Sequence, residues 1–216
     1  MRVIFCLPGR EFSDQWVRSW TDTITTLGQN GIEWAMSMAY DPVVYYARNR
    51  VLGGNNVDGR GQKPFGGTVD YDYQVWIDSD MVWRASDVMK LLQLNKPIAS
   101  GCYLMANADE YPIVETLDYD KLLEQGTFKF MNRVDMTAKT EPFTVSYAGF
   151  GFMAVAKGVM ERLEYPWFRP RWVDQEDFLE FTAEDVGFCW SAAEMGEQIW
   201  VDPSIRVGHQ KLLTLM

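Results

Sequence analysis

Two hydrophobic periods alternate along the first hundred residues. Arg2–Leu7 (RVIFCL) is an unbroken apolar run ending at Pro8-Gly9, the pattern of a buried strand that delivers its C-terminal end to a turn. Ser13 precedes apolar positions at Trp16, Trp20, Ile24 and Leu27. Their spacing of four, four and three predicts a capped amphipathic helix stopped by Gly28 and Gly31. Ile32–Met38 reads as a second strand. Asp41-Pro42 sets an acceptor side chain before a proline, a helix start, and that helix runs to about Leu52 before Gly53-Gly54. Tyr73–Ile77 (YQVWI) predicts a third strand, Ser86 caps a helix through Val88, Leu91, Leu92 and Leu94, and Pro97–Ser100 opens a fourth strand.

The pattern weakens afterwards. Residues 53–67 (GGNNVDGRGQKPFGG) hold six glycines and almost nothing apolar, which predicts a mobile surface loop long enough to be functional rather than a mere connection. Residues 104–142 are polar and aperiodic and read as an inserted, partly irregular segment. Phe143–Tyr147 and Phe152–Ala156 read as strands around Ala148-Gly149-Phe150-Gly151, with a short helix near Lys157–Leu163. The stretch 165–181 is dense in aromatics, with Trp167, Phe168, Trp172 and Phe178, for which core packing is the plain reading. Thr182 caps a last helix to about Met195, and Ile199–Val201 and Ile205–Val207 close the chain as strands. Strands alternating with helices imply an α/β fold: a Rossmann-like, mostly parallel mixed sheet flanked by helices, in which ligands sit beyond the carboxyl ends of the strands. Length fits one domain over 1–216, with a first half at 1–101 and a second at 102–216.

Charge narrows the function. Thirty Asp and Glu against 20 Lys and Arg give a net −10, which argues against nucleic acid as a bulk ligand and against an anionic membrane surface. A small phosphorylated ligand stays open, because a local cation outweighs a global charge. Cys6, Cys102 and Cys189 are far apart without a CxxC, so a reducing, cytoplasmic setting is expected rather than a disulfide framework or a zinc–thiolate site. No run approaches the roughly 20 apolar residues of a membrane span, and no signal segment is expected. GxGxxG, Walker A, GxSxG and HExxH are all missing, which removes the motifs of the commonest nucleotide and hydrolytic sites.

The sharpest chemical feature is Asp78-Ser79-Asp80, directly after a buried strand. Two neighbouring carboxylates repel unless a cation or donors compensate them, and hard oxygen ligands suit Mg²⁺ or Mn²⁺; the plain alternative is a solvated acidic turn. His209 is the single histidine, followed two residues later by Lys211. One imidazole can complete an oxygen-rich metal site, and a lysine can meet a phosphate. Glu184 and Asp185 open the last predicted helix, where the helix dipole alone accounts for acids; a general base is the functional alternative. Pro8-Gly9-Arg10 lets backbone approach a nucleotide or is an ordinary turn, Arg48 lies on a helix face, and Gly149 leaves room for a ligand or a strand.

Taken in chain order, these pieces resemble a GT-A glycosyltransferase. The resemblance rests on the Leu7-Pro8-Gly9-Arg10 turn, Ala47-Arg48-Asn49, Trp76-Ile77-Asp78-Ser79-Asp80 as a DxD motif, Tyr147-Ala148-Gly149-Phe150-Gly151, Glu184-Asp185 as the acidic motif, and Gly208-His209-Gln210-Lys211. It spans nearly the whole chain and implies a minimal catalytic core of the bacterial or phage kind. It implies that Asp80 and His209, with Asp78, hold Mn²⁺ or Mg²⁺, and that a nucleotide-sugar, most often a UDP-sugar such as UDP-glucose, is the donor. Pro8, Gly9, Arg10, Arg48, Asp78 and Ser79 then line the nucleotide site in the 1–101 half, Gly149 gives the sugar space, and Lys211 meets the diphosphate. Asp185 and Glu184 become the catalytic acids facing an unidentified acceptor in the 102–216 half, for an inverting or a retaining transfer, and loop 53–67 and the aromatics of 165–181 become candidates for a lid and an acceptor platform. The rivals are a sugar nucleotidylyltransferase, for which Pro8-Gly9-Arg10 is too sparse, and a non-catalytic nucleotide-sugar or carbohydrate-binding module of the same fold.

Overall fold

The first apolar run is a strand, β1 (Arg2–Pro8), and every residue in it after Arg2 is buried. A computed structural model, which describes residues 1–175 and 178–212, shows why the run is unbroken: both faces of the strand are covered. Ile4 and Cys6 point into one hydrophobic cluster, and Val3, Phe5 and Leu7 into another. Helix α1 (Asp14–Gln29), strand β2 (Glu33–Ala39) and helix α2 (Val44–Val51) follow, then a single 3₁₀ turn at Pro64–Gly67. Next come β3 (Tyr73–Ile77), β4 (Met81–Val82), α3 (Ala85–Gln93) and β5 (Ile98–Cys102). The inserted region holds β6 (Ile113–Val114), α4 (Tyr119–Gln125) and α5 (Arg133–Thr137). The remainder is β7 (Phe143–Val145), β8 (Tyr147–Ala148), β9 (Phe152–Ala156), α6 (Val159–Arg162), β10 (Trp172–Gln175), β11 (Phe178–Phe181), α7 (Glu184–Glu194), β12 (Ile199–Arg206) and β13 (Gly208–His209).

Seven strands form one sheet in the order β2-β1-β3-β9-β5-β12-β7. β1 is parallel to β2 and β3, and β12 to β5, while β9 runs antiparallel to β3 and β5, and β7 to β12. Five strands therefore share one direction, in a single mixed α/β domain. α1 and α3 pack on one face with Trp16, Leu27, Val88 and Leu91; α2 and α7 contribute Val51, Val186 and Phe188 to the other. Among the described residues no helix is long and apolar enough to cross a membrane.

The long elements match the hydrophobic pattern, but the short strands β4, β6 and β13, the helix α4 and the β10–β11 hairpin do not show in it, and the two strands read at Ile199–Val201 and Ile205–Val207 are one, β12. α2 begins at Val44 rather than at Asp41-Pro42, and other differences lie at helix ends. α1 continues through Gly28 to Gln29, because one open turn of helix tolerates a glycine. Ser86 does not cap α3; Asp87 reaches back to accept from the Arg84 N–H at 2.9 Å. Thr182 does not cap α7; its Oγ1 accepts from the Arg171 N–H at 3.0 Å, and Ala183 stands at the N-cap with no side-chain acceptor. The inserted segment is more regular than its composition predicts, since Asn132 caps α5 by accepting from Val134 and Asp135 N–H.

Candidate functional site

β3 ends at Ile77, and Asp78-Ser79-Asp80 turn out of the sheet. The Met81 N–H donates to the Asp78 carbonyl, and the Asp78 N–H to the Gly151 carbonyl. Trp16 Nε1 donates to the same Asp78 carbonyl at 3.2 Å. The turn is thus held from α1 and from the β8–β9 bend at once. Gly9 has to be glycine: a Cβ there would stand 2.7 Å from Ser79 Cβ.

The short strand β4 then pairs antiparallel with β13, His209 opposite Met81. This register brings two distant parts of the chain together. His209 Nε2 lies 3.0 Å from Asp80 Oδ2, Lys211 Nζ donates to that oxygen at 2.7 Å, and the Gln210 N–H donates to the Asp80 carbonyl. His209 Nδ1 lies 2.7 Å from the Leu104 carbonyl, which can only accept, so the proton sits on Nδ1. In the neutral ring the Nε2 lone pair therefore faces a carboxylate oxygen, an arrangement that calls for a cation between them, a proton or a metal. Burial opposes charge on Asp80, yet the bonds from His209 and Lys211 outweigh it and hold its pKa down at about 2. Burial likewise opposes protonation of His209, and the bonds to Asp80 and Leu104 outweigh it and raise the imidazole pKa. Among the described residues no three His, Cys, Asp or Glu gather into a closed metal cage. Two protein ligands, with the rest from phosphate and water, is the pattern of Mg²⁺-type sites rather than of structural zinc, so Asp80 and His209 fit such an ion.

Asp78 faces the other way. Arg48, on α2 and 3% exposed, donates through Nη2 to Asp78 Oδ2 at 3.0 Å and through Nε to Glu184 Oε1 at 3.0 Å. Its Nη1 is also 3.0 Å from Asp78 Oδ1, but out of line, so both atoms are buried without a hydrogen bond. The guanidinium lies 5.3 Å from the Phe150 ring centroid and 5.9 Å from Phe168, an aromatic setting suited to a delocalised cation. Burial raises the Asp78 pKa against the pull of Arg48. Asp78, expected beside the metal, is thus committed to Arg48, and Arg48, expected to line the nucleotide pocket, is the buried tie between Asp78 and Glu184.

Glu184 and Asp185 share the first turn of α7 and differ in freedom. Glu184 is buried against Arg48. Asp185 accepts from the Tyr147 hydroxyl at 2.9 Å. Burial and the neighbouring Glu184 push its pKa up to about 6, against Arg48, Tyr147 and the Val186 N–H. A carboxyl poised near neutrality is matched to proton transfer.

A cavity of about 230 Å³ opens over the turn, lined by Pro8, Gly9, Tyr40, Val44, Ser79 and Asp80, with Asp78 also at its wall. Its size suits one moiety of a ligand rather than a whole extended one. Of the expected residues, Pro8, Gly9, Asp78, Ser79 and Asp80 meet there. Arg10 is not in the lining: it pairs with Glu11 at 2.9 Å and lies over the Tyr40 ring at 5.1 Å. Gly149 leaves no open space for a sugar, because a Cβ there would run into Tyr103 Oη and the Pro112 ring. Tyr103 fills that room, accepts from the Gly151 N–H at 3.0 Å, and sets its ring edge-on to His209 at 5.1 Å. Sequence reasoning missed Tyr103 and Tyr40, and Tyr147 was part of a motif without a role; Gly149-Phe150-Gly151 marks a close approach, by sequence that of a ligand or a strand and in the structure that of Tyr103.

Loop 53–67 does not lie over this site. Its contacts run elsewhere: Lys63 Nζ to the Glu161 carbonyl, the Phe65 N–H to Leu52, and Gly54 against Tyr165 and Trp167. It is pinned, with Gln62 bonding Asn55 and Gly59, and has no part as a lid in this arrangement. Trp167 and Phe168 are buried core residues, so the acceptor-platform reading survives only for Trp172, exposed at 69% and packed edge-on to Phe181. The side chain of Phe178 lies outside the described residues.

No protein-family model and no curated protein matches the sequence. Solved structures do match the fold. A197 from STIV is 16% identical, with a TM-score of 0.56 over 100% of this chain and 97% of that one. GalNAc-T7, solved with UDP, GalNAc and Mn²⁺, is 9% identical, with a TM-score of 0.50 over 98% of this chain and 44% of that one; this chain spans less than half of its length. At such identities the likeness carries the architecture alone, and the architecture is that of the GT-A fold.

Proposed function

We propose that the chain is a metal-dependent glycosyltransferase that uses a nucleoside-diphosphate sugar, in the simplest case a UDP-sugar. The observation that carries the reading is the meeting of Asp80 and His209, 129 residues apart, at 3.0 Å beside a nucleoside-sized cavity at the carboxyl end of β3. The GT-A fold and the UDP and Mn²⁺ held by GalNAc-T7 support it.

Asp80 and His209 would hold Mn²⁺ or Mg²⁺, which when bound neutralises the diphosphate as it departs. The other steps belong to side chains. Pro8, Gly9, Tyr40 and Val44 take the nucleoside; Ser79 and the Asp78 carboxylate border it. Lys211 brings a second positive charge to the diphosphate. Asp185 takes the proton of the acceptor hydroxyl at its carboxylate, and Tyr147 fixes that carboxylate in place. Glu184 positions rather than reacts, because Arg48 holds it. Three buried free thiols fit a reducing cytoplasm.

The test is a panel of nucleotide-sugars with Mn²⁺ or Mg²⁺, read by release of nucleoside diphosphate and by the melting temperature. A UDP-sugar with Mn²⁺ raises the melting temperature, and Asp80→Asn abolishes the rise while leaving the unliganded protein folded. Asp185→Asn keeps the rise and loses roughly 10²- to 10⁴-fold in turnover, the usual worth of a general base. A melting shift without nucleotide release from any donor, with or without acceptors, would identify a binding module instead.

A further inference from the structure

The two borders of the seven-stranded sheet are built differently. β7 is three residues long, and Lys139 lies over its Phe143 ring at 4.8 Å. Short length and a lysine are ordinary guards of a sheet edge. β2 is seven residues long, pairs with β1 along all seven, and has no partner on its outer side among the described residues. It has none of the guards: no lysine, no proline and no bulge interrupt Glu33–Ala39. Trp34, Met36 and Met38 project from it, exposed at 39%, 53% and 48%.

The strip is also electrically neutral in an acidic protein. From Trp34 to Ala47 the one charged residue is Asp41, and Arg50 binds it at 2.7 Å. Glu33, at the start of β2, is bound by Arg2 at 2.9 Å. With a net charge of −10, two copies repel over most of their surfaces, and this edge is where that repulsion vanishes. A basic or acidic partner would find no opposite charge here. An identical strand finds a complementary one.

We infer that β2 pairs with β2 of a second copy, antiparallel about a two-fold axis through Met36, which joins the two sheets into one. About that axis Trp34 of each copy stands opposite Met38 of the other, the two Met36 side chains meet, and Ala35 stands opposite Ser37. The thioether-on-indole and Met–Met contacts fall on one face, and only small residues fall on the other, so neither face clashes. Such an interface is isologous and closes at two subunits. Tyr40, which walls the cavity, then lies opposite Ile32 of the second copy. Association therefore stiffens the cavity wall without adding a reacting group, and it stands whether or not the proposed chemistry does.

Sedimentation of the full chain across a concentration series measures the association. The wild type has twice the monomer mass, and Met36→Lys has the mass of one chain with an unchanged circular dichroism spectrum and a melting temperature that no longer depends on concentration. Met36→Cys locates the axis: directly opposed residues are within disulfide reach, and Cys6, Cys102 and Cys189 are buried, so mild oxidation gives a covalent dimer on denaturing gels. Val57→Cys, exposed at 84% on the glycine-rich loop, gives none. A wild type that stays at one chain mass up to its solubility limit overturns the inference. So does a dimer that survives Met36→Lys and is not trapped by Met36→Cys.

Discussion

Asp78 and Asp80 are two residues apart in one turn and meet opposite fates. Asp78 turns inward to a buried arginine caged by aromatic rings, and burial raises its pKa. Asp80 turns outward to a histidine and a lysine from the chain's end, and its pKa falls to about 2. Around Asp78 sits a mostly buried cluster of Arg48 and Glu184, with Asp185 next in the chain; around Asp80 sits a half-exposed one of His209 and Lys211. A buried ion pair is a poor source of stability but costly to break, because removing one partner strands the other's charge. A half-exposed pair contributes little and is easily exchanged for another cation. The inner cluster is built to persist, and the outer one to trade partners.

The comparison breaks most visibly at Arg48. Arg48→Met strands Asp78 and Glu184 and is expected to cost about 3–5 kcal/mol in urea unfolding. Arg48→Lys recovers only part of that, since one ammonium cannot span two carboxylates held by Nε and Nη2. A loss no greater than that of an exposed ion pair would show that the two clusters do not differ in kind.

Proton affinity sharpens it next. Asp185 has a folded pKa of about 6 against an ordinary 3.8. The folded state therefore holds the proton more tightly than the unfolded chain. Stability from this group is greatest at low pH, declines as pH rises from about 3.8 to about 6, and is level above. Activity runs the other way, because the base must be ionised: turnover climbs with pH through about 6. Tyr147→Phe removes a bond to the charged form and moves that limb up by about one pH unit. Asp185→Asn, lacking the titration, melts higher than the wild type above pH 6 while turnover is lost, the usual conflict between a strained site and a stable one. A pH–rate profile and thermal melts across that range measure both.

The central strands and most helices were legible because burial imposes a period on the chain, whereas the two-residue strands β4, β6 and β13 and the β10–β11 hairpin were not. β1 and β3 are covered on both faces and read as unbroken apolar runs, and α1 shows its buried Trp16 and Leu27 at helical spacing. The pairing of Asp80 with His209 was legible only through motif order, since the register that joins them is two residues long. Who neutralises whom was not legible. Arg48 looks like any helix-surface arginine until α7 and the aromatic rings close over it, and Gly149 signals a close approach without naming Tyr103. Thr182 shows the same limit at a helix end: its hydroxyl accepts from the Arg171 N–H, and Ala183 takes the N-cap position. The inserted region hid α5 for a different reason, because so short a helix has no apolar period to display.

The outer cluster allows the finest discrimination. Lys211 Nζ and His209 Nε2 share one oxygen of Asp80, and a Mn²⁺ that takes that oxygen together with His209 displaces the ammonium from it. Lys211 is half-exposed, and the pair is worth about 0.2–1 kcal/mol by the usual measure of exposed ion pairs. Removing it with Lys211→Ala therefore lowers the Mn²⁺ dissociation constant by about 1.4- to 5-fold, read by the free-ion electron paramagnetic resonance signal. The same variant turns over more slowly, because the displaced lysine is the charge that next meets the diphosphate. Tighter metal binding with weaker catalysis is a signature that mere damage to the site does not give, since damage loosens both. Equal Mn²⁺ affinity in the two proteins would mean that Lys211 never occupied the metal's place, and no Mn²⁺ binding in either would instead remove Asp80 and His209 as its ligands.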